Sequence, residues 1–154
     1  VEIQAHPWDF CEENNETVDI VKSFRSDNVK YVYSVPHTFF YDKGVGDVAS
    51  MLRYAGSDLS HVLIADTRNH TKHCRYIVNP PGVDAVVHQH VGVGEGDVDF
   101  DALFRTLREM KFAEQTFKVG GEPIVATSLF GYPEKMKYQA VETRELIERE
   151  LLRR

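Results

Sequence analysis

The feature that most constrains the fold of this sequence is a pattern of apolar, strand-like segments that alternate with amphipathic helical segments. The predicted strands are residues 1–5, 29–34, 60–65 and 123–130. Each is followed by apolar residues at helical spacing, such as Val48, Met51 and Leu52 after the second strand. Repeated strand–helix units indicate a parallel sheet with right-handed crossovers. The sequence therefore predicts an α/β fold, either a small open sheet or half of an eight-stranded barrel.

The starts of the helices are marked by capping residues. Asn14 or Asn15 can cap the first helix, and Asp99 can cap the third. Pro133 stands where the first turn of the last helix is expected, and that helix is predicted to run to about residue 152. The second helix is predicted over residues 44–56.

Composition limits the class of protein. The chain has 154 residues, 42% hydrophobic and 27% charged, which suits one domain with a buried core. The formal net charge of -6 argues against a nucleic-acid surface, because phosphate binding needs clustered Lys and Arg. No apolar run approaches the roughly 20 residues that span a bilayer. Cys11 and Cys74 lie far apart and indicate no disulfide framework, so we expect a cytoplasmic setting.

The beginning of the sequence carries an expectation of its own. Val1, Glu2 and Ile3 already lie inside a predicted strand, and no Met precedes them. We expect that an N-terminal part of the protein precedes residue 1, and that residues 1–154 form the C-terminal half of one barrel domain. A half barrel alone would leave its first and last strands as unprotected edges.

Candidate functional residues follow from one rule about parallel barrels. Their working residues lie at the carboxyl ends of the strands and in the loops that follow. In chain order the polar residues there are Gln4, His6 and Asp9; Ser34 and His37; Asp66, Arg68, Asn69, His70, His73, His88, His90 and Glu95; and Thr127 and Ser128. Many of them fall in the segment 66–99, and such a long segment in a compact domain is usually functional or disordered.

The histidines allow two interpretations. His88 and His90 form an H-x-H pair, whose rings project to one side of an extended segment and can meet one metal ion. Two ligands do not complete a site, so a pair of hydrogen-bonding loop histidines is the favoured interpretation. For His37, which follows Pro36, the functional and structural interpretations have equal weight. His61 lies within an apolar strand and is interpreted as a core histidine.

Two further patterns are interpreted structurally. His70, His73 and Cys74 have metal-like spacing but fit a solvated polar turn better. The glycine-rich residues 92–96 match neither the P-loop nor the dinucleotide-binding fingerprint, and indicate a turn that leads to the helix at Asp99. No Ser/His/Asp arrangement and no pair of carboxylates can be identified from spacing.

Several segments resemble the sugar phosphate isomerase/epimerase superfamily, the xylose isomerase-like TIM barrels. They are residues 61–67 (HVLIADT), residues 94–100 (GEGDVDF), and residues 124–131 with the helix that follows. The second is similar to the G-x-G-x-[IV]-[DN]-[FW] entry to the seventh barrel helix. A narrower resemblance, to the IolH family of myo-inositol catabolism proteins, is carried by residues 6–10, 65–67, 79–82 and 88–90. The resemblance implies a (β/α)8 TIM barrel in which these units are strands five to eight.

The resemblance also implies a divalent metal, which typical members hold with Glu, Asp, His and Glu, one from each of these strands, while a carboxylate moves a proton on carbon. The matching positions here hold Gln4, Ser34, Leu63 and Ser128. A hard cation prefers anionic oxygens and Leu63 has no donor atom, so the usual site is absent or has moved. The candidates for a relocated metal site are His6, His37, His88 and His90, with Asp66 or Glu95.

These observations lead to two hypotheses about function. The first is an isomerase, epimerase or related lyase that acts on inositol-derived or keto-sugar substrates in carbohydrate catabolism. Its expected catalytic residues are His37, Asp66, His88 and His90, and its expected substrate-binding residues are Gln4, His6, Ser34, Arg68, Glu95 and Ser128. The second is a non-catalytic barrel that binds a polyol or a pathway partner, which the lost ligands favour. A DNA-repair endonuclease of the same superfamily is disfavoured by the acidic charge, and self-association is left open.

Overall fold

The computed structural model describes residues 1–7, 9–41, 45–68, 89–117, 121–131 and 133–152. The strands are β1 (Glu2–Gln4), β2 (Lys30–Ser34), β3 (Leu59–Ile64) and β4 (Ile124–Thr127). The helices are α1 (Asn14–Ser23), α2 (Val35–Tyr41), α3 (Val48–Ala55), α4 (Phe100–Glu109) and α5 (Pro133–Ile147), and a π-helical turn over Glu148–Leu152 extends α5. Within these residues, no helix has the length and apolarity needed to cross a bilayer.

The four strands form one parallel sheet in chain order, β1-β2-β3-β4. Gln4 lies opposite Val32, and Ser34 lies opposite Leu63. Leu63 in turn lies opposite Ala126. Since the strands are parallel and their register is close, their carboxyl ends lie along one edge of the sheet. The predicted α/β fold built from four strand–helix units is confirmed.

One face of the sheet is covered by the helices. Successive strand residues alternate between faces, and the residues that face the helices are fully buried. They include Tyr31, Tyr33, Val62 and Ile64. Buried residues of the helices belong to the same core, among them Val18 and Val21 of α1, Leu52 of α3, and Leu103 and Leu107 of α4. Each fully buried Leu or Val stabilises the fold by roughly 1.5–3 kcal/mol relative to an exposed one.

The opposite face of the sheet is less completely covered within the described residues. Leu63 and Ala126 are half-buried there, and Ile124 at the start of β4 is 47% exposed. In a closed barrel this face lines the interior, where side chains from all the strands fill the space. The exposure pattern therefore fits a four-stranded part of a barrel wall.

Helix α2 is not part of the sequence-based prediction, which has a loop between β2 and the next helix. Its second residue, Pro36, lies in the first turn, where a backbone N–H has no partner inside the helix. The next helix is shorter than predicted. It begins at Val48 because the side chain of Asp47 accepts a hydrogen bond from Ser50 N at 2.9 Å and caps it. Residues 42–44 lie outside the described residues.

The two other predicted caps have different outcomes. Asp99 caps α4 as predicted, since its carboxylate accepts from Ala102 N at 2.8 Å. Asn14 is not a cap, because it is the first residue of α1 and its side chain points into the core. There it accepts a hydrogen bond from Tyr31 Oη at 2.9 Å and donates one to the carbonyl of Met51 at 3.2 Å. Asn14 thereby ties α1 to β2 and α3.

Candidate functional site

Three histidines from distant parts of the chain meet at the carboxyl ends of the strands. His6 follows β1, His37 lies in α2 directly after β2, and His90 lies between β3 and α4. The ring centroids of His6 and His37 are 4.6 Å apart, and those of His37 and His90 are 5.0 Å apart. We call His6, His37 and His90 the histidine cluster. The fourth predicted histidine, His88, lies outside the described residues, as do Asn69, His70, His73 and Cys74.

Backbone pairing holds His90 in place. Asp66, just beyond β3, and Val91 exchange two backbone hydrogen bonds, of 2.8 Å and 3.0 Å, in an antiparallel bridge. On the other side, the carbonyl of His90 accepts a hydrogen bond from Phe130 N at 2.9 Å. The Phe130 ring stacks on the His90 ring with centroids 4.2 Å apart. The segment after β4 therefore fixes a ring that belongs to the segment after β3.

Each ring of the histidine cluster contacts a backbone carbonyl through Nδ1. The contacts are His6 to Pro7 O at 2.8 Å, His37 to Ala5 O at 3.0 Å, and His90 to Ser128 O at 2.6 Å. A carbonyl oxygen only accepts, so Nδ1 of His6 and Nδ1 of His90 donate and carry the proton of the neutral ring. The lone pair of these two neutral rings is then on Nε2, the nitrogen that can accept a proton or bind a metal.

Nε2 of His37 and Nε2 of His90 lie 3.1 Å apart, within hydrogen-bond distance. Two predicted substrate-binding residues adjoin the same pair. The side-chain amide nitrogen of Gln4 lies 3.1 Å from His37 Nδ1, and Ser128 Oγ lies 3.1 Å from His90 Nδ1. The amide nitrogen only donates and the carbonyl of Ala5 only accepts, so these two contacts alone do not fix the proton position on the His37 ring. The structure thus brings Gln4 and Ser128 together with the histidine cluster.

The three rings differ in exposure. His37 and His90 are buried, with 5% and 3% of their surface accessible, whereas the side chain of His6 is 41% exposed. Burial lowers the pKa of His90; the hydrogen bond to the Ser128 backbone acts in the opposite direction, and the charge of His6 lowers it further. His90 is therefore a neutral ring at neutral pH. The carboxylate of Asp9 lies 3.5 Å from His6 Nδ1.

Ser34, the last residue of β2, is fully buried. Its Oγ has no hydrogen-bond partner within the described residues. A buried hydroxyl without a partner costs about 1–3 kcal/mol, which makes a ligand atom a favourable partner for it. The substrate-binding role of Ser34 stays a prediction.

Asp66 holds the glycine-rich turn of residues 92–96 through its side chain. Its buried carboxylate accepts backbone hydrogen bonds from residues far along the chain, namely Gly94 N at 2.9 Å, Gly96 N at 2.8 Å and Val98 N at 3.2 Å, besides Thr67 N at 2.8 Å. A side chain on Gly96 would collide with this carboxylate. The geometry therefore supports a structural role for Asp66 in shaping the glycine-rich turn. Its catalytic role stays a prediction.

Glu95 and Arg68 complete the set of predicted binding residues. Glu95 pairs with Lys135 of α5 at 2.9 Å and accepts from Gln139 at 2.9 Å. The hydrogen bond from Lys135 is the main reason that the pKa of Glu95 is lowered. The side chain of Arg68 is exposed, and its backbone N–H donates to Gln89 Oε1 at 3.1 Å. Glu95 thus anchors the turn to α5, and the substrate-binding roles of both residues stay predictions.

The residues at the usual metal positions of the resembled superfamily do not suit a hard divalent cation. Gln4, Ser34 and Ser128 are neutral, and Leu63 lies in the sheet between Ser34 and Ala126 with no donor atom. Among the described residues, no three His, Cys, Asp or Glu side chains are grouped so that they could hold a metal ion. The donor chemistry at these four positions therefore does not fit a hard divalent cation.

Sequence reasoning missed Phe130, whose ring covers His90. The available signal was its position two residues after Ser128, in the segment beyond a strand end. The sequence also could not show that the backbone carbonyls of Ala5, Pro7 and Ser128 would contact the Nδ1 atoms of the histidine cluster. Every residue has a backbone carbonyl, so its position leaves no signal in the sequence.

The fold and the site together define a class of protein. Parallel strand–helix units with polar side chains gathered at the carboxyl ends of the strands are the architecture of (β/α)8 barrels. The sequence profile of the xylose isomerase-like TIM barrel family matches residues 1–123, and the chain belongs to this family. No protein of curated function matches the sequence.

Solved structures share the fold at low sequence identity. A structure of the IolI protein with a zinc atom is 22% identical, with a TM-score of 0.54, over 97% of this chain and 45% of that one. A structure of L-ribulose 3-epimerase is 14% identical, with a TM-score of 0.62, over 97% and 46%. The probable 3-DHS dehydratase AsbF of Bacillus anthracis is 16% identical, with a TM-score of 0.62, over 97% and 49%. The chain thus spans slightly less than half the length of these structures, and the likeness establishes the fold.

Proposed function

We propose that the protein is an isomerase or epimerase that acts on inositol-derived ketones or keto-sugars. The observation that carries this proposal is the histidine cluster at the carboxyl ends of the strands, where barrel enzymes have their active sites. Isomerisation or epimerisation of a ketone needs a base that removes a proton from the carbon next to the carbonyl. A neutral imidazole with Nδ1 held by a carbonyl and a lone pair on Nε2 is such a base.

His6 is the member of the cluster that best fits the role of this base. Its side chain is 41% exposed, so a substrate can reach it, whereas His37 and His90 are buried. When Nε2 takes a proton the ring becomes positive, and the Asp9 carboxylate 3.5 Å from Nδ1 stabilises that charge. Removal of the C–H proton gives an enediol once the carbonyl oxygen takes up a proton. Return of the same proton to the neighbouring carbon, with loss of the O–H proton from the oxygen on the first carbon, completes an isomerisation without any net change in the enzyme.

Neutral hydrogen-bonding groups beside the cluster suit a polyhydroxylated substrate. Gln4 and Ser128 adjoin His37 and His90, and the Ser34 hydroxyl is buried without a partner in the described part of the chain. Such groups can accept from and donate to sugar hydroxyls without requiring a charge on the substrate. The resemblance to inositol catabolism proteins directs the choice of substrate to inososes first and ketohexoses second.

The proposal includes the rest of the barrel. We infer that residues 1–154 supply strands five to eight of an eight-stranded cytoplasmic protein, whose other strands complete the wall around the substrate. The half-exposed inner face of the sheet and the length of the similar structures support this arrangement. The similar structures named for epimerases also support the reaction class.

The test is proton exchange on carbon. The full-length protein is incubated in D2O with each of a set of inososes and ketohexoses, and proton NMR follows the C–H signals next to the carbonyl. The proposal expects one substrate to lose such a signal at a rate that scales with enzyme concentration. Absence of exchange with every substrate, in a protein shown to be folded, would contradict it.

A second function is favoured by one observation, the apolar Leu63 at a position that is a metal ligand in typical members of the superfamily. This is a non-catalytic barrel that binds a polyol or a pathway partner. Calorimetric binding of an inosose without any exchange on carbon would support this alternative against the enzyme.

A further inference from the structure

A chain of contacts crosses the carboxyl ends of the strands through the two buried histidines. Its links are Gln4 Nε2 to His37 Nδ1 at 3.1 Å, His37 Nε2 to His90 Nε2 at 3.1 Å, and His90 Nδ1 to Ser128 O at 2.6 Å. We call these four residues the strand-end chain. Since its members end or follow β1, β2, β3 and β4 in turn, it reaches every strand end of the sheet.

The three contacts fit one direction of donation. The carbonyl of Ser128 only accepts, so His90 Nδ1 donates, and in the neutral ring His90 Nε2 accepts. His37 Nε2 then donates, which leaves the lone pair of a neutral His37 ring on Nδ1, where the Gln4 amide nitrogen donates to it. The Ala5 carbonyl, 3.0 Å from the same Nδ1, is then a close contact and not a hydrogen-bond partner. The opposite tautomer of His37 would satisfy Ala5 O but leave the two side-chain contacts of the ring unmatched.

The four positions where the superfamily places its metal ligands hold uncharged side chains. Leu63 has no donor atom, and Ser34 offers one buried hydroxyl. Gln4 and Ser128 are already members of the strand-end chain. A metal ion with one ligand from each strand would join the four strand ends, and the strand-end chain makes the same connections with hydrogen bonds alone.

The two carboxylates considered for a relocated metal site have other partners. Asp66 accepts backbone hydrogen bonds from Thr67 and from residues 94, 96 and 98. Glu95 pairs with Lys135 of α5 at 2.9 Å. A hard cation needs such anionic oxygens, and moving either carboxylate to a metal would leave its present donors without their acceptor.

We propose that the strand-end chain takes the place of the superfamily's metal ion, and that Gln4 is the positioning residue that sets its direction. The amide nitrogen of Gln4 selects the His37 tautomer whose Nε2–H donates to His90. His90 in turn is held on the Ser128 carbonyl, and the Phe130 ring stacked on it limits its rotation. The existence of the chain rests on these contacts, and its relevance to catalysis rests on the proposed function.

The direction of the chain is measured by NMR of the full-length protein with isotope-labelled histidine. A hydrogen bond between two imidazoles transmits a scalar coupling between donor and acceptor nitrogens, so we expect His37 Nε2 and His90 Nε2 to be coupled, with the proton on His37. Gln4→Glu replaces the donor by a carboxylate that only accepts, and is expected to move the His37 proton to Nδ1 and abolish the coupling. The matched control Gln115→Glu makes the same change beyond α4, where Gln115 contacts Met110 O, and keeps the coupling.

Addition of Mn²⁺ to the chelator-treated protein tests the metal. One equivalent is expected to leave the imidazole signals of His37 and His90 sharp, whereas an ion held at the strand ends would broaden both beyond detection. Such broadening, a proton on Nδ1 of neutral His37 in the wild type, or an unchanged His37 tautomer in folded Gln4→Glu would overturn the proposal. If Gln4→Glu does not fold, the wild-type signals decide it. Because neither measurement uses a substrate, the chain and the proposed reaction can fail independently.

Discussion

The Nε2 atoms of His37 and His90 lie 3.1 Å apart although the two residues are separated by 53 positions in the sequence. Their Nδ1 atoms lie 3.0 Å from Ala5 O after β1 and 2.6 Å from Ser128 O after β4. One pair of side chains thereby connects three strand ends of the sheet, and this contact is the centre of the candidate site.

The tautomers of the histidine cluster can be measured. In their neutral forms we expect His6 and His90 to carry the proton on Nδ1, because each Nδ1 faces a carbonyl oxygen. Long-range proton–nitrogen NMR of labelled imidazoles identifies the protonated nitrogen. A proton on Nε2 of neutral His90 would show that Ser128 O does not fix its tautomer.

Replacement of Asp66 by Ala is expected to destabilise the protein strongly. The variant leaves the N–H groups of Gly94 and Gly96 without their acceptor in a partly buried turn. Loss of such charge-assisted bonds is expected to reduce the free energy of unfolding by about 3 kcal/mol. Urea denaturation of Asp66→Ala and of the exposed control Asp101→Asn tests this. Equal stability of the two variants would mean that the turn does not depend on Asp66.

Gly96 and Gly131 offer a matched pair of glycine substitutions. A methyl group on Gly96 would collide with the carboxylate of Asp66 and the carbonyl of Thr67, whereas one on Gly131 would meet Met136 Cγ at an ordinary 3.6 Å. We expect Gly96→Ala to lower the free energy of unfolding by about 1–3 kcal/mol. Gly131→Ala is expected to change it by less than about 0.5 kcal/mol. Thermal denaturation of both variants measures these changes. Equal destabilisation, or a larger loss in Gly131→Ala, would show that the predicted collision at Gly96 does not occur.

The ion pair between Glu95 and Lys135 predicts a pH dependence of stability. Hydrogen bonding to Lys135 lowers the folded-state pKa of Glu95 below its ordinary 4.5. The pair therefore stabilises the fold above the unfolded-state pKa, and this contribution is lost as the pH falls through the folded-state pKa. Because the pair is exposed, we expect it to contribute less than about 1 kcal/mol to the free energy of unfolding.

The measurement is a double-mutant cycle of Glu95→Gln and Lys135→Met, in which thermal denaturation gives the stability of each protein. The coupling between the two substitutions should be favourable at about pH 7 and should disappear as the pH falls through the lowered folded-state pKa of Glu95. A coupling that persists in acid would show that the contact is not electrostatic.

The fold could be predicted from the sequence because burial of one face makes apolar residues recur at the spacing of a helix or a strand. The buried stripe of Val48, Met51 and Leu52 identifies α3, and the buried residues of β3 identify a strand covered by helices. Helix α2 was not accessible, because it is short and has only one turn of residues after Pro36. The inward turn of Asn14 was also missed, since its partners Tyr31 and Met51 come from other elements.

The candidate site was accessible only in part. The rule that the ends of parallel strands meet at one edge is enough to place His6, His37 and Ser128 together from their sequence positions. The hydrogen-bond donors to Asp66 were not accessible, because they are backbone N–H groups 28–32 residues further along the chain. The tautomers depend on which carbonyl each ring meets, which is a property of the packed chain and not of local sequence.

The most direct test of the account is proton exchange on carbon by His6 variants. The full-length protein, His6→Gln and the control His61→Gln are compared in D2O with the inosose or ketohexose that the wild type exchanges. If His6 is the base, His6→Gln loses exchange by about 100-fold or more while it still binds the substrate, and His61→Gln retains it. Full exchange by a folded His6→Gln protein, or binding without exchange by the wild type, would contradict the account.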